Sequence, residues 1–181
     1  MTKNRIIITE EGFVQYHPDI DVIEEGIKYG KSILKNNDAI NRKTFSEKNK
    51  LEAFVAEYCF GIIFPHFKFY LSYDYDYEYR DIKLDVKSKH RKYLPTLDYS
   101  ATVPKYQIEE QMCNYYVFAS TTGILKDIYI TYCGGISKRS FMRRARFIKA
   151  GQIDGSNKLK FTTDSYEIKY KYLEKFSCIH L

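Results

Sequence analysis

At Pro65 the hydrophobic period of the chain changes from that of a helix to that of a strand, and this switch constrains the fold more than any other feature. Before it, Leu51, Phe54, Val55, Tyr58, Cys59 and Ile62 recur at i, i+3, i+4, i+7, i+8 and i+11, the stripe of an amphipathic helix. Ser46 suits the N-cap of that helix, and Gly61 and Pro65 mark its end. After the switch, Phe67, Phe69, Leu71 and Tyr73 alternate with His66, Lys68, Tyr70 and Ser72. That alternation predicts a half-buried strand running on towards Tyr79. A turn near Arg80-Asp81 leads into a second strand, with Ile82, Leu84 and Val86 on one face and Lys83, Asp85 and Lys87 on the other.

The flanking sequence fits around this unit. Arg5 to Gln15 reads as an extended piece turning at Glu10-Glu11-Gly12, and Asp21 to Lys35 reads as a helix carrying Val22, Ile23, Ile27 and Leu34. Tyr115 to Ala119 and Ile128 to Cys133 are apolar enough for central strands, the second ending at Gly134-Gly135. Ser137 then caps a basic helix from Lys138 to Ala150, with Phe141, Ala145 and Ile148 inward and Gly151 as its stop. Tyr166-Glu167-Ile168 reads as an edge strand. Helix, strands and helix in this order predict an α/β domain with a mixed sheet. At 181 residues the chain makes a single domain, 1–181, with a core region 46–131 and a basic helix and C-terminal extension over 137–181.

Composition removes several function classes. Lys plus Arg exceeds Asp plus Glu by 29 − 23 = +6, a moderate excess compatible with a polyanionic partner. The apolar run after Met1-Thr2-Lys3-Asn4-Arg5 is too short for a signal peptide, and no run approaches the ~20 residues of a membrane helix. Cys59, Cys113, Cys133 and Cys178 lie far apart, with neither disulfide-framework nor zinc spacing. They read as reduced thiols. The expectation is a cytoplasmic, intracellular protein without a membrane partner.

Chemistry concentrates in Asp74 to Lys89, DYDYEYRDIKLDVKSK. Asp85 and Lys87 stand two apart on a strand and project from the same face. Pairing across the turn brings Asp76 opposite or diagonal to Asp85. Asp74 shares the parity of Asp76 and rivals it, whereas Asp81 suits the turn. Two carboxylates with an intervening backbone carbonyl make a hard, all-oxygen ligand set suited to Mg²⁺ or Mn²⁺. A lysine beside such an ion can hold or deprotonate an attacking water, which suffices for phosphodiester hydrolysis.

This order resembles the PD-(D/E)xK nuclease superfamily, restriction-endonuclease-like proteins with phage, viral and bacterial members. Val55-Ala56-Glu57-Tyr58-Cys59-Phe60 loosely resembles the family's helix motif before the hairpin, and Asp85-Val86-Lys87-Ser88 is similar to its acid-Val-Lys strand. The resemblance covers roughly Ser46 to Thr131. It implies a mixed β-sheet core flanked by helices, a Mg²⁺ or Mn²⁺ cofactor, and Asp76, Asp85 and Glu57 as metal ligands. Lys87 would be the catalytic lysine. Glu52 and Glu57 both flank the apolar arc of their helix, and the resemblance favours Glu57. Gln107 is placed to support Lys87.

The expected partner is DNA, with RNA not excluded and a homodimer left open. Lys89, Arg91 and Lys92 follow the site, and Arg139, Arg143, Arg144 and Arg146 crowd the basic helix; these are the candidate phosphate contacts. The tyrosines, 18 in all against 12 Phe and no Trp, can stack on bases, but packing suits most of them better. His90 is a candidate for orienting substrate. With no Gly-rich phosphate loop, ATP dependence is not expected. The leading expectation is therefore a metal-dependent deoxyribonuclease. The alternatives are a non-catalytic nucleic-acid-binding module with a structural acidic patch, and a Tyr-rich protein-interaction domain.

Overall fold

The computed structural model describes residues 5–37, 47–70, 72–153 and 160–176. The chain opens with a hairpin of β1 (Arg5–Ile8) and β2 (Val14–His17), in which the Gly12 N–H donates to the Thr9 carbonyl at 2.9 Å. Helices α1 (Ile20–Asn37) and α2 (Glu47–Ile63) follow, close to the two helices the periodicity predicts. Ser46, the expected cap of α2, lies outside the described residues. Next come β3 (Lys68–Phe69), β4 (Tyr77–Tyr79), β5 (Ile82–His90), β6 (Ser100–Pro104), α3 (Lys105–Glu110), β7 (Tyr115–Ile124) and β8 (Asp127–Ser137). The described chain closes with α4 (Lys138–Arg144), β9 (Arg146–Ile148), β10 (Ser165–Lys169) and a 3₁₀ turn at Tyr170–Tyr172.

Seven strands form one sheet in the order β1-β2-β8-β7-β5-β4-β3, and three form a second in the order β6-β10-β9. Within the main sheet β5 and β7 run parallel while the other neighbours run antiparallel. The architecture is mixed α/β. On one face of the main sheet, Val55, Ala56, Cys59 and Phe60 of α2 pack against Leu84, Val86, Val117, Ala119, Ile130 and Tyr132. On the other, Ala101, Val103 and Ile168 of the second sheet join Ile108 and Phe141 against Tyr116, Phe118 and Cys133. With both faces covered, β7 and β8 are apolar runs rather than alternating strands. Close helix packing matters to the site: a Cβ on Gly30 of α1 would stand 2.8 Å from Phe54 Cβ, so only glycine lets α1 approach α2 here.

Four expected elements change form. The strand predicted over Phe67–Tyr73 shrinks to Lys68–Phe69, because the chain beyond it is used to hold a neighbouring segment. Gln111 Nε2 donates to the Tyr73 carbonyl at 2.9 Å, and the Met112 and Cys113 N–H groups donate to Asp74 at 3.3 and 3.1 Å. β8 does not stop at Gly134-Gly135 but runs on to Ser137 through a register shift opposite Phe118 and Ala119. Gly134 has φ +137°, and a Cβ there would meet the Glu174 carbonyl oxygen at 2.6 Å. The extra residue turns Ile136 to the second-sheet face while Tyr132 stays on the helix face.

The basic helix is real at its start, where Ser137 Oγ accepts the Ser140 N–H at 3.2 Å, but it ends at Arg144 rather than Ala150. From Arg146 the chain pairs with β10, setting Arg146 beside Glu167 and Ile148 beside Ser165. Strand pairing and burial of Ile148 outweigh helix continuation. Tyr166–Ile168 is correspondingly central in its sheet, not an edge, and the segment expected as a C-terminal extension supplies the layer that covers β7 and β8.

Candidate functional site

The site forms where β4 leaves β5. Pairing of β4 with β5 joins Tyr77 to Leu84, and one further step of the same register sets Asp76 opposite Asp85. Here the Asp76 N–H still donates to the Leu84 carbonyl at 2.8 Å, but the next donor of β5, the Val86 N–H, has lost its partner strand. The Asp76 carboxylate replaces that strand, accepting the Val86 N–H on Oδ2 at 2.7 Å. Asp85 and Lys87 point to the second-sheet face, in register with Tyr116 and Phe118 of β7. Glu57 comes from α2 on the helix face and meets the Asp76 carboxyl at this open edge. That helix is docked on β4 by Tyr77, whose hydroxyl donates to the Glu57 carbonyl at 2.8 Å and accepts the Gly61 N–H at 3.2 Å.

Each side chain is held. Lys87 Nζ lies 2.5 Å from Asp85 Oδ2 and donates to Gln111 Oε1 at 3.2 Å. Gln111 is buried and clamped at its other end to Tyr73, and its carbonyl accepts Lys138 Nζ at 2.6 Å. Tyr29 of α1 donates its hydroxyl to Glu57 Oε1. Asp85 is 4% exposed, and its Oδ2 meets the lysine outside hydrogen-bond angles, so it is ion-paired yet keeps acceptor capacity unused.

The electrostatics follow from crowding three carboxyls around one ammonium. Burial pushes the Glu57 carboxyl up to about 7, with Asp85 adding to the shift and the Tyr29 hydroxyl and Lys87 opposing it. Burial, then the charges of Glu57 and Asp85, hold the Asp76 carboxyl well above the usual carboxylate range. Burial works against the Lys87 ammonium, but Asp85 outweighs it and raises its pKa above the ordinary value. The cluster thus carries excess negative charge, which a proton or a cation relieves. Among the described residues, no three His, Cys, Asp or Glu side chains are placed to grip an ion together. The carboxylate pair Asp76 and Asp85, with Glu57 beside it, suits a hard cation that keeps its own waters rather than one caged by protein.

The structure gathers Glu57, Asp76, Asp85 and Lys87 and leaves out other candidates. Asp74 is occupied in holding 112–113, and Asp81 sits in the turn, its carbonyl accepting Asn114 Nδ2 at 2.7 Å. Glu52 is buried against His90, Oε2 to Nδ1 3.2 Å, so both serve the α2–β5 contact. Gln107 contacts the neighbouring Tyr106, and Gln111 takes the place expected for it beside Lys87. Gln111 and Tyr29 are absent from the sequence reading. No periodicity links Gln111 to Lys87 across 24 positions, and Tyr29 reaches Glu57 only through helix packing.

The basic residues divide. Lys89 continues the Asp85–Lys87 face of β5, and Lys92 is exposed with Nζ 5.3 Å from the Tyr93 ring centre. Arg139, Arg143 and Arg144 are exposed on α4, which starts beside the site because Lys138 reaches Gln111. Arg146 is paired with Glu167 at 2.8 Å. Arg91 is an interior pin: it donates to the Ser100 carbonyl at 2.5 Å, to Tyr170 and Ser120 hydroxyls at 3.2 Å, and lies 4.7 Å from the Tyr99 ring centre. Replacing Arg91 by Met is expected to cost about 2 kcal/mol of stability, because buried acceptors lose their donor. Urea unfolding measures this; an unchanged midpoint would return Arg91 to the surface set.

The chain matches no family model, no curated protein and no solved structure. Among the described residues no helix is long and apolar enough to cross a membrane.

Proposed function

We propose that this chain is a Mg²⁺- or Mn²⁺-dependent nuclease that hydrolyses phosphodiester bonds in DNA, built on a restriction-endonuclease-like core. The observation that carries the reading is the convergence of Glu57, Asp76, Asp85 and Lys87, from a helix and two strands, at the point where β4 leaves β5. The helix–hairpin–strand order and the mixed sheet support the same family reading.

Asp76 and Asp85 would hold the cation, with Glu57 as a further or water-mediated ligand. When bound, the ion would neutralise charge developing on the phosphate. The remaining work falls to side chains. An ammonium has three donors; Lys87 gives one to Gln111 and faces Asp85 as its counter-ion, which leaves donor capacity to direct at a water or a phosphate oxygen. Gln111 keeps that donor aimed, and Tyr29 keeps Glu57 turned into the site.

The test is incubation of purified protein with circular and linear DNA, with and without Mn²⁺. Metal-dependent cutting supports the reading. Salt-sensitive DNA binding without cutting would instead favour the binding-module reading, to which the Asp85–Lys87 ion pair also lends weight. For the exposed cluster on α4, changing Arg139, Arg143 and Arg144 together to Ala should weaken DNA binding and reduce the salt slope by up to about 3. Titration at two salt concentrations checks this, and an unaltered slope would assign that face to solvent.

A further inference from the structure

Strand β1 forms one outer edge of the seven-stranded sheet, with three strands between it and β5. Its apolar residues are open to water: Ile6 is 53% exposed, Ile7 38% and Ile8 69%. Sheet edges are ordinarily blunted by charge, proline or a bulge, and Ile6-Ile7-Ile8 has none of these. The Thr9 N–H donates to the Phe13 carbonyl at 2.9 Å, and the register joins Ile7 to Gln15 and Arg5 to His17. Backbone bonds in an antiparallel pair alternate, so Arg5, Ile7 and Thr9 bond towards β2, while the N–H and C=O of Ile6 and Ile8 face outward.

We propose that β1 pairs antiparallel with β1 of a second copy of this chain, joining the two main sheets about a two-fold axis through Ile7. This register sets Ile6 opposite Ile8 of the second copy and Ile8 opposite its Ile6. All the outward N–H and C=O groups of the two isoleucines are then satisfied by their equivalents. Ile6 and Ile8 share a face, so four isoleucine side chains meet there and leave water. Charge favours the same occupant. Exposed Arg5 stands at one end of the strand and exposed Glu10 just past the other, and antiparallel pairing brings Arg5 near Glu10 of the second copy. A strand that is basic at one end and acidic at the other complements itself when reversed, as an isologous interface requires. The surface lies away from Asp85 and Lys87, so it stands apart from the nuclease reading.

Sedimentation and light scattering on the full chain over a concentration series test this. The wild type should dimerise, and Ile6→Lys with Ile8→Lys should raise the dimer dissociation constant by about a hundredfold or more while leaving the melting temperature of the monomer unchanged. Arg5→Glu should weaken the dimer, and adding Glu10→Lys should restore it. Amide exchange of the wild type gives a reading that does not depend on how the lysine variant folds. The Ile6 and Ile8 amides should be protected increasingly as concentration rises, whereas that of Ile7, already bonded to β2, should change little. A monomeric wild type throughout, a dimer indifferent to the lysines, or concentration-independent exchange at Ile6 and Ile8 would each overturn the proposal.

Discussion

Lys87→Ala is expected to lower DNA cleavage by roughly a thousandfold or more and to destabilise the fold, because one ammonium serves both ends. It supplies the donor assigned to substrate in the proposed reaction, and it is the counter-ion of buried Asp85. Removing it strands that carboxylate, at a cost of about 3 kcal/mol in the metal-free protein. The strand alternation alone predicts that truncating Asp85 or Lys87 leaves the core untouched; the ion pair revises that expectation. Asp85→Asn keeps the shape and should be milder in stability while equally inactive. Asp76→Ala should also be inactive, since it leaves the Val86 N–H without its acceptor as well as removing a ligand. Cutting assays and melting curves on the same preparations separate the two effects. A folded Lys87→Ala protein that cuts at the native rate would show the site to be misassigned.

In the absence of metal, stability should fall as pH rises from about 5 to 8, and Glu57→Gln should lessen that fall. A carboxyl whose folded pKa is raised costs nothing below its unfolded value and imposes its full penalty above its folded value. For Glu57 those limits are 4.5 and about 7. The integrated penalty is about 3 kcal/mol, with the raised pKa of Asp76 acting in the same direction. Glu57→Gln should therefore raise the metal-free melting temperature at pH 8 and change it little at pH 5. Asp85→Asn should not raise the metal-free melting temperature in the same way, because it also takes the counter-ion from the buried Lys87. Mn²⁺ should raise the wild-type melting temperature most at the higher pH, since an ion binding the native state relieves the same repulsion. A melting temperature that is flat with pH and indifferent to Mn²⁺ would leave the nuclease reading without its central requirement.

Local periodicity carried much of the fold. The α2 stripe from Leu51 to Ile62, the alternation of Ile82 to Lys87 and the apolar runs at Tyr115 and Ile128 each appear as the element they imply, because each is set by residues a few positions apart. The spacing of Asp85 and Lys87 likewise placed both on one face. The errors fall where a distant partner decides. Phe67 to Tyr73 has a strand's alternation, but Tyr73 and Asp74 are drawn off to hold 111–113. Arg146 to Ile148 continues a plausible helical face, but β10 offers a strand to pair with.

By itself the sequence determined the identity and parity of the acidic and basic groups: which carboxylates exist, and that an aspartate and a lysine share one strand face. Only the tertiary structure decided that Asp76 and not Asp74 caps the open edge of β5, that Glu57 joins the cluster while Glu52 pairs with His90, and that Gln111 and Tyr29 hold the lysine and the glutamate. The physical reason is range. Side-chain direction along a strand follows from backbone geometry over two residues. Which buried polar atom finds which partner depends on where α1, α2 and the 111–113 segment come to rest, and that is set by packing across the whole sheet.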